Sequence, residues 1–228
     1  MRPYTTVVLA MSIDGKIADA RRSPARFGSA ADKAHLETQI AKADGVLFGA
    51  ATLRAYQTTF RITNLDLLQQ RQQQGKPLQP IHIVCSRSAQ LNPKYPFFRQ
   101  PLPRWLLTTI AGAEQWQGRS EFDRILTPPL ILSGDLDWEI ALHELKLLGI
   151  QQLVIAGGGE LVAALLAIDQ IDEFWLTVCP LILGGSQAPT PVEGSGFMET
   201  LAPRLELLSV KAIDHEVFLN YCLRRKKN

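Results

Sequence analysis

The chain has 228 residues, 46% of them hydrophobic, and a formal net charge of +2 at neutral pH. This length accommodates one large domain or two small ones, and the composition is typical of a soluble globular protein with a sizeable core. The near balance of charge does not favour nucleic-acid binding, and no apolar run approaches the roughly 20 residues of a membrane-spanning helix. We therefore predict a protein that binds neither nucleic acid nor a membrane.

The cysteine and histidine residues exclude other kinds of site. The three cysteines lie far apart in apolar runs, which predicts buried free thiols in a reducing compartment: Cys85, Cys179 and Cys222. The four histidines are scattered without metal-site spacing, so we predict no metal. The N-terminus leads directly into a strand and lacks the features of a signal peptide, so we expect a cytoplasmic protein. We predict that the basic C-terminal residues 224–228 are solvated and disordered.

Strands and helices alternate along most of the chain. Short apolar runs rich in branched residues predict strands at residues 5–10, 45–49, 81–85, 105–109, 124–126, 152–156, 173–179, 205–213 and 216–223. Helical patterns cover residues 31–42, 66–74, 113–116, 137–148 and 160–167, and another begins at Ala50. This alternation predicts an α/β fold with a mostly parallel central sheet, helices on both faces and a C-terminal antiparallel hairpin. No linker divides residues 1–228, so we predict a single domain.

Two local signals mark turns and helix starts near the N-terminus. Asp14-Gly15 follows the first predicted strand and is typical of a turn. Ser29 has the features of a helix N-cap, with Asp32 at the third helical position. A strand-to-helix junction follows at Gly49 and Thr52.

A second strand-to-helix junction contains Gly157, Gly158 and Gly159. Such a turn exposes backbone N–H groups and the positive end of the helix dipole, and can hold the pyrophosphate of a nucleotide. Alternatively, the glycines serve only the tight geometry of the turn. Val162 occupies the third glycine position of the Rossmann fingerprint, so a nucleotide site here is not of the usual Rossmann type.

Several segments, in this order along the chain, resemble the reductase domain of the bifunctional riboflavin-biosynthesis deaminase/reductase. They are LAMSIDGKIA at 9–18, Ser29 with Asp32, ADGVLFG at 43–49 with Thr52, VCSR at 84–87, GGGEL at 157–161, IDE at 171–173 and PLILGG at 180–185. The resemblance extends from about Arg2 to Leu223. It implies a dihydrofolate-reductase-like three-layer fold, NADPH as cofactor, and a homodimer with a C-terminal strand or hairpin near its interface.

The resemblance also assigns residues to the cofactor. It places Ala10 beside the nicotinamide, Gly49 and Thr52 beside the cofactor, and the pyrophosphate in a turn formed by Gly157, Gly158, Gly159, Glu160, Leu161 and Val162. Ser86 and Arg87 follow a predicted strand, where a hydroxyl and a cation suit the 2′-phosphate of NADPH better than the bare ribose of NADH. Arg87 could equally be a solvated surface arginine.

The candidate substrate residues are Ser12, Asp14, Lys16, Tyr56 and Phe60. Asp14 is the candidate catalytic group, because a carboxylate near the nicotinamide could orient a substrate nitrogen or help to deliver a proton. The alternative is that Asp14-Gly15 only makes a turn. Lys16 could contact a substrate phosphate as a point charge, or be solvated.

The resemblance implies hydride transfer to a C=N carbon of a pyrimidine ribosylamine phosphate, as in 5-amino-6-(5-phosphoribosylamino)uracil reductases. Three substrate-side positions depart from the family's pattern: Ile40 stands in place of an arginine, Tyr56-Gln57-Thr58 in place of Asp-Asp-Pro, and Ala156 in place of a glutamate. Two alternatives therefore remain, an NADPH-dependent reductase of a pterin, dihydrofolate or another imine, and a nucleotide-binding protein without catalysis.

Overall fold

The computed structural model describes residues 1–224. Its nine strands are β1 Tyr4–Ser12, β2 Gly45–Gly49, β3 Ile81–Cys85, β4 Arg104–Leu107, β5 Arg124–Leu126, β6 Gln152–Ile155, β7 Glu173–Cys179, β8 Leu205–Ile213 and β9 Glu216–Leu223. The α-helices are α1 Ala30–Lys42, α2 Ala50–Tyr56, α3 Leu65–Gln73, α4 Ile110–Glu114, α5 Trp138–Leu147 and α6 Gly159–Ala167, and a 3₁₀ helix spans Pro96–Arg99. Most of the strand pairs are parallel, and strands alternate with helices along the chain, which confirms the predicted α/β fold.

The chain divides into two compact units, the first made of residues 1–4 and 37–154 and the second of residues 5–36 and the chain from Ile155 onward. The prediction of a single domain stays a prediction. In the first unit the strands follow the order β5-β4-β3-β2-β6. The β2–β3, β3–β4 and β4–β5 pairs are parallel, and their central residues are branched or aromatic side chains that pack into the core.

One buried cation organises the end of α1 in the first unit. The Arg71 side chain on α3 is only 1% exposed. Its Nη1 donates to the carbonyl groups of Ala41 and Ala43 at 2.8 and 2.6 Å, and its Nε donates to Pro77 at 2.8 Å. Because the last carbonyl groups of a helix have no partner within the helix, this arginine satisfies acceptors that would otherwise be buried without a donor.

In the second unit the strands follow the order β1-β7-β9-β8. The β1–β7 pair is parallel and sets Ala10 opposite Thr177. The β7–β9 and β8–β9 pairs are antiparallel, so the predicted C-terminal hairpin is confirmed with the predicted bounds. The N-cap prediction also holds, because the Ser29 hydroxyl oxygen accepts from the backbone N–H groups of Ala31 and Asp32 at 3.0 and 3.2 Å.

Two predictions of local structure were wrong. Residues 108 and 109 do not continue β4, because the Thr109 hydroxyl accepts from the N–H of Gly112 at 3.0 Å and caps α4, which therefore begins earlier than predicted. Of the cysteines, Cys179 is buried, whereas Cys85 and Cys222 are only half-buried. The disorder predicted for residues 224–228 stays a prediction; within that segment Arg224 is described, and its Nε lies 3.8 Å from a carboxylate oxygen of Glu206. Residues 225–228 lie outside the described residues.

Candidate functional site

The glycine turn before α6 combines an unusual backbone with free helix donors. Gly157 has φ +91°, the Gly157–Gly158 peptide bond is cis, and Gly158 is the N-cap of α6 without a side-chain hydrogen bond. The first amides of α6 therefore have no capping side chain, which leaves Gly159, Glu160 and Leu161 as main-chain donors at the positive end of the helix dipole. This donor set fits the pyrophosphate of a dinucleotide.

Val162 does not belong to that donor set. Its N–H donates to the carbonyl of Gly158 at 3.2 Å and its side chain is fully buried. Gly159 has a second role, because a Cβ atom at this position would lie 2.2 Å from the carbonyl oxygen of Thr190. The N–H of Glu193 donates to Gly159 at 3.1 Å, so the segment at 190–193 packs directly against the start of the helix.

The end of β1 is a closed turn built around Ser12 and Asp14. The Ser12 hydroxyl is buried, donates to Asp14 Oδ1 at 2.6 Å and accepts from the N–H of Lys16 at 2.9 Å. The other donors to Asp14 are the N–H groups of Leu183 and Gly184, at 3.1 and 2.7 Å. The hydrogen bonds from Ser12, Leu183 and Gly184 lower the pKa of Asp14 from 3.8 to about 2. At neutral pH Asp14 is therefore a carboxylate, which can accept a hydrogen bond but has no proton to donate.

Lys16 is oriented by the same turn. Its Nζ donates to the carbonyl of Ala188 at 3.2 Å, and the N–H of Ile17 donates to Pro189 at 2.9 Å. A cavity of about 200 Å³ lies in the same unit, lined by Ala18, Asp19, residues 23–27 and Leu183. Leu183 lines this cavity and also donates its N–H to Asp14, so the cavity lies next to the Asp14 turn.

The first unit holds the other predicted residues. Gly49 is the N-cap of α2 and Thr52 is half-buried in its first turn. Tyr56 at the helix end is 37% exposed and Phe60 is half-buried. Ile40, one of the departures from the family's pattern, is 1% exposed and packs in the core, so it presents no open apolar surface.

Ser86 and Arg87 both have partners within the first unit. The Ser86 side chain is buried and accepts from the N–H of Ala89 at 3.0 Å. The guanidinium of Arg87 is exposed and forms an ion pair with Asp135. Ser86 therefore shapes the turn, while Arg87 supplies an accessible positive charge.

Sequence reasoning missed a buried carboxyl pair in the second unit. Asp32 was predicted only as part of the helix start, yet it is half-buried, and burial is the main cause that raises its pKa above 3.8. A hydrogen bond from Thr177 opposes this rise, and the negative charge of Glu216 adds to it. The carboxyl group lies close to Gly28, because a Cβ atom at that position would lie 2.2 Å from Asp32 Oδ2 and would have to displace the carboxyl group. Only the spacing to Ser29 was visible in the sequence, and it indicates a cap.

The partners of Glu216 differ from those of Asp32. Glu216 is 4% exposed and accepts from the N–H and the hydroxyl of Ser29, at 2.8 and 2.5 Å. The Cys179 thiol donates to the same carboxylate at 3.5 Å. Burial, with the charges of Glu216 and Asp32, raises the pKa of Cys179 to about 12, so this thiol is a neutral donor and not a nucleophile.

Thr177 connects the carboxyl pair to the predicted cofactor residues. It is 2% exposed, contacts Asp32, and lies opposite Ala10 in the parallel β1–β7 register. A carboxyl group whose pKa is raised by burial and by a neighbouring charge is a candidate acid in an enzyme. The second unit therefore offers a titratable acid beside β1.

The comparison with known sequences identifies the family of the chain. The sequence profile of the RibD C-terminal domain matches residues 3–219. The chain belongs to the RibD C-terminal domain family. The 2,5-diamino-6-ribosylamino-4(3H)-pyrimidinone 5′-phosphate reductase of Archaeoglobus fulgidus is 26% identical over 199 residues, which cover 87% of this chain and 90% of that protein. The reductase of the same name from Methanothermobacter thermautotrophicus is 25% identical over 227 residues, covering 98% of this chain and all of the relative.

Solved structures show the same fold. A pyrimidine reductase-like protein from Corynebacterium diphtheriae matches with a TM-score of 0.82 at 21% identity, covering 98% of this chain and 93% of the other. Dihydrofolate reductase from Enterococcus faecalis, complexed with NADP(H), matches with a TM-score of 0.52 at 13% identity over 97% of each chain. The family's fold is therefore of the predicted dihydrofolate-reductase-like type.

Two negative findings concern residues 1–224. This part of the chain contains no group of three or more His, Cys, Asp or Glu side chains placed to hold a metal ion. None of the helices described in it combines the length and hydropathy needed to cross a bilayer.

Proposed function

We propose that the protein is an NADPH-dependent reductase of ribosylaminopyrimidine 5′-phosphates in riboflavin biosynthesis. The observation that carries this proposal is the family match over residues 3–219, together with relatives of this name that align along nearly their whole length. In such a reaction the cofactor, when bound, supplies a hydride to a C=N carbon, and the nitrogen takes up a proton. The protein must hold both partners and provide that proton.

The donor groups of the chain support a phosphorylated nicotinamide cofactor. The uncapped start of α6 offers main-chain N–H groups to a pyrophosphate, and the exposed guanidinium of Arg87 offers a charge to a 2′-phosphate. Ala10 on β1 is the proposed neighbour of the nicotinamide. These residues favour NADPH over NADH, since a bare ribose requires an acceptor and not a cation.

Asp32 is the proposed holder of the proton that accompanies hydride transfer. Its raised pKa, its contact with Thr177 and the register of Thr177 with Ala10 support this role. Asp14, whose pKa is about 2, suits a different role as an acceptor that orients a substrate N–H or O–H group. Lys16 is the proposed contact of the substrate phosphate, with Ser12, Tyr56 and Phe60 completing the substrate side.

The departures from the family pattern at Ile40, residues 56–58 and Ala156 are the reason for a second candidate substrate. These positions lack the charged groups that the family pattern uses, which favours a less charged substrate such as a pterin or dihydrofolate. A nucleotide-binding protein without turnover is the third candidate.

Turnover and binding assays separate the candidates. The purified full chain is mixed with NADPH and one substrate, either 2,5-diamino-6-ribosylamino-4(3H)-pyrimidinone 5′-phosphate, its 5-amino-6-ribosylaminouracil counterpart, or dihydrofolate, and the loss of NADPH absorbance is followed. We expect turnover with a ribosylaminopyrimidine phosphate. Turnover with dihydrofolate alone would show that dihydrofolate, and not a ribosylaminopyrimidine phosphate, is the substrate. NADPH binding without any turnover would support the non-catalytic candidate. The absence of NADPH binding would refute all three candidates.

A cytoplasmic homodimer is part of the same proposal. The β8 edge strand exposes a row of large apolar side chains, with exposed fractions of 42% for Leu205, 49% for Leu207, 51% for Leu208 and 56% for Val210. Long apolar edge strands pair readily with another chain, so a second copy is proposed to cover β8. Analytical ultracentrifugation of the wild type and of Val210→Lys tests this, with a dimer expected for the first and a monomer for the second.

A further inference from the structure

The turn after β3 has a backbone that is fixed from one side. The carbonyl groups of Arg87, Ser88 and Ala89 all accept hydrogen bonds from side chains at the two ends of α4. The donors are Thr108 at 3.1 Å and Thr109 at 2.9 Å to Arg87, Gln115 at 2.8 Å to Ser88, and Trp116 at 2.8 Å to Ala89. Gly112 allows this approach, since a Cβ atom there would lie 2.0 Å from Thr108 Oγ1 and 2.8 Å from the Arg87 oxygen. The turn is therefore a rigid platform.

The same turn also has main-chain donors without an acceptor. Among residues 1–224, the main-chain N–H groups of Arg87 and Ser88 donate to no acceptor, and both residues are exposed. The guanidinium of Arg87 belongs to the same turn, and 61% of its side chain is exposed. Successive free N–H groups next to a guanidinium fit the three acceptor oxygens of a phosphate monoester.

One carboxylate contacts the guanidinium of Arg87. In the described residues the Arg87 guanidinium has Asp135 as its side-chain partner, in an ion pair that is exposed on both sides. Asp135 belongs to the loop closed by the Leu130–Leu136 bridge, and its second oxygen accepts from the Ser133 hydroxyl at 2.9 Å. An exposed ion pair is weak and exchanges readily, unlike the backbone contacts that fix the turn.

We propose that Asp135 is a specificity-determining residue that competes with the cofactor's 2′-phosphate for Arg87. This inference rests on the proposed NADPH dependence. The carboxylate occupies Arg87 in the free chain and repels a phosphate dianion, so it lowers the affinity for NADPH. It does not act on NADH, which carries no phosphate at this position. Asp135 thus limits how strongly the protein prefers the phosphorylated cofactor.

The test measures binding, not turnover. The dissociation constants of NADPH and NADH are determined by fluorescence titration for the full-length wild type, Asp135→Asn and Arg87→Ala. The control is Glu139→Gln, which removes an exposed negative charge from α5 in the same unit. Because an exposed pair is worth at most about a fivefold change in binding, we expect Asp135→Asn to bind NADPH about two- to fivefold more tightly. We expect NADH binding to be unchanged, and the control to resemble the wild type for both cofactors.

A double variant tests the role of Arg87. If Asp135 acts by competition, the gain in NADPH affinity disappears in Arg87→Ala/Asp135→Asn. An unchanged NADPH-to-NADH preference in Asp135→Asn, or an equal gain in the control, would overturn this inference while leaving the proposed reductase intact. Failure of the wild type to bind NADPH would refute the proposed cofactor and this inference with it.

Discussion

The carboxyl group of Asp32 on α1 is hydrogen-bonded to the hydroxyl of Thr177 on β7, at the position that lies opposite Ala10 on β1. This contact brings a half-buried acid with a raised pKa next to the strand that the family resemblance assigns to the nicotinamide. It also separates the chain's two candidate acids. Asp14 is held as a carboxylate by its donors, whereas burial and Glu216 favour the protonated form of Asp32.

Asp32→Asn should abolish most of the turnover without loss of NADPH binding. General acid catalysis contributes about 10²–10⁴-fold to a rate, so we expect kcat to fall by that range. The amide keeps the size of the side chain and can still accept from Thr177. Steady-state kinetics and NADPH titration check the two halves of this prediction. Wild-type turnover in the variant would exclude Asp32 as the proton donor.

The stability of the same variant has a defined pH dependence. The pKa of Asp32 is higher in the folded chain than the unfolded value of 3.8, so the folded chain binds this proton more tightly. The stability that this proton provides is fully present below pH 3.8 and is lost as the pH rises through the folded-state pKa. We therefore expect Asp32→Asn to gain stability relative to the wild type as the pH is raised from 3.8, measured by urea unfolding at several pH values.

Glu216→Gln should shift the pH–rate profile without removing the acid. Because the charge of Glu216 raises the pKa of Asp32, its loss should move the alkaline limb of activity to lower pH. Glu206→Gln on β8 is the matched control. The Glu206 carboxylate is exposed, and its contact with Arg224 is a long one of 3.8 Å. A shift of the same size in the control would show a general charge effect and contradict a specific role for Glu216.

Asp14→Asn should destabilise the β1 turn but leave the shape of the pH–rate profile unchanged. The pKa of Asp14 falls from 3.8 to about 2 on folding, so its contribution to stability is present above pH 3.8 and is lost as the pH falls towards 2. Thermal unfolding should therefore show a lower Tm for the variant at neutral pH and a shrinking difference at acid pH. If one limb of the pH–rate profile disappeared in the variant, Asp14 would instead be identified as the titrating catalytic group.

Gly159→Ala should weaken both stability and NADPH binding. The added Cβ meets the Thr190 carbonyl, a backbone atom that can move only with its segment, and such overpacking costs about 1–3 kcal/mol. Displacing this segment also disturbs the first amides of α6. Gly118→Ala is the steric control, because its Cβ enters open space at φ +73° and only the backbone conformation, worth about 1–2 kcal/mol, is affected. NADPH binding that survives in Gly159→Ala would exclude the start of α6 as the pyrophosphate site.

Arg71→Met should be the most destabilising of these changes. The variant leaves the carbonyl groups of Ala41, Ala43 and Pro77 without their donor in a buried site, so we expect the free energy of unfolding to fall by about 3–5 kcal/mol. Arg61→Met, at an exposed position, should change it by less than about 0.5 kcal/mol. Equal effects in the two variants would show that Arg71 is not the donor that secures the end of α1.

The sequence by itself determined the elements whose pattern is local. The strands at 45–49, 81–85, 124–126 and 173–179 and both hairpin strands have the predicted bounds, because short branched runs and turn residues specify them without help from distant residues. The Ser29 cap was also predictable, since its acceptor and donors lie within three residues. The order of the family's motifs was sufficient to predict the fold and the family.

Only the tertiary structure decided what the polar groups do. Asp32 and Asp14 are equally acidic in sequence, and their pKa values diverge because one is buried against β7 and β9 while the other meets three donors from Ser12 and the segment after β7. Arg87 meets Asp135 through a loop whose position no local pattern specifies. The Ser12–Asp14 hydrogen bond is local, but the burial of Asp32 and the contacts of Asp14 with Leu183 and Gly184 join distant parts of the chain, and the spacing of residues along the chain encodes neither.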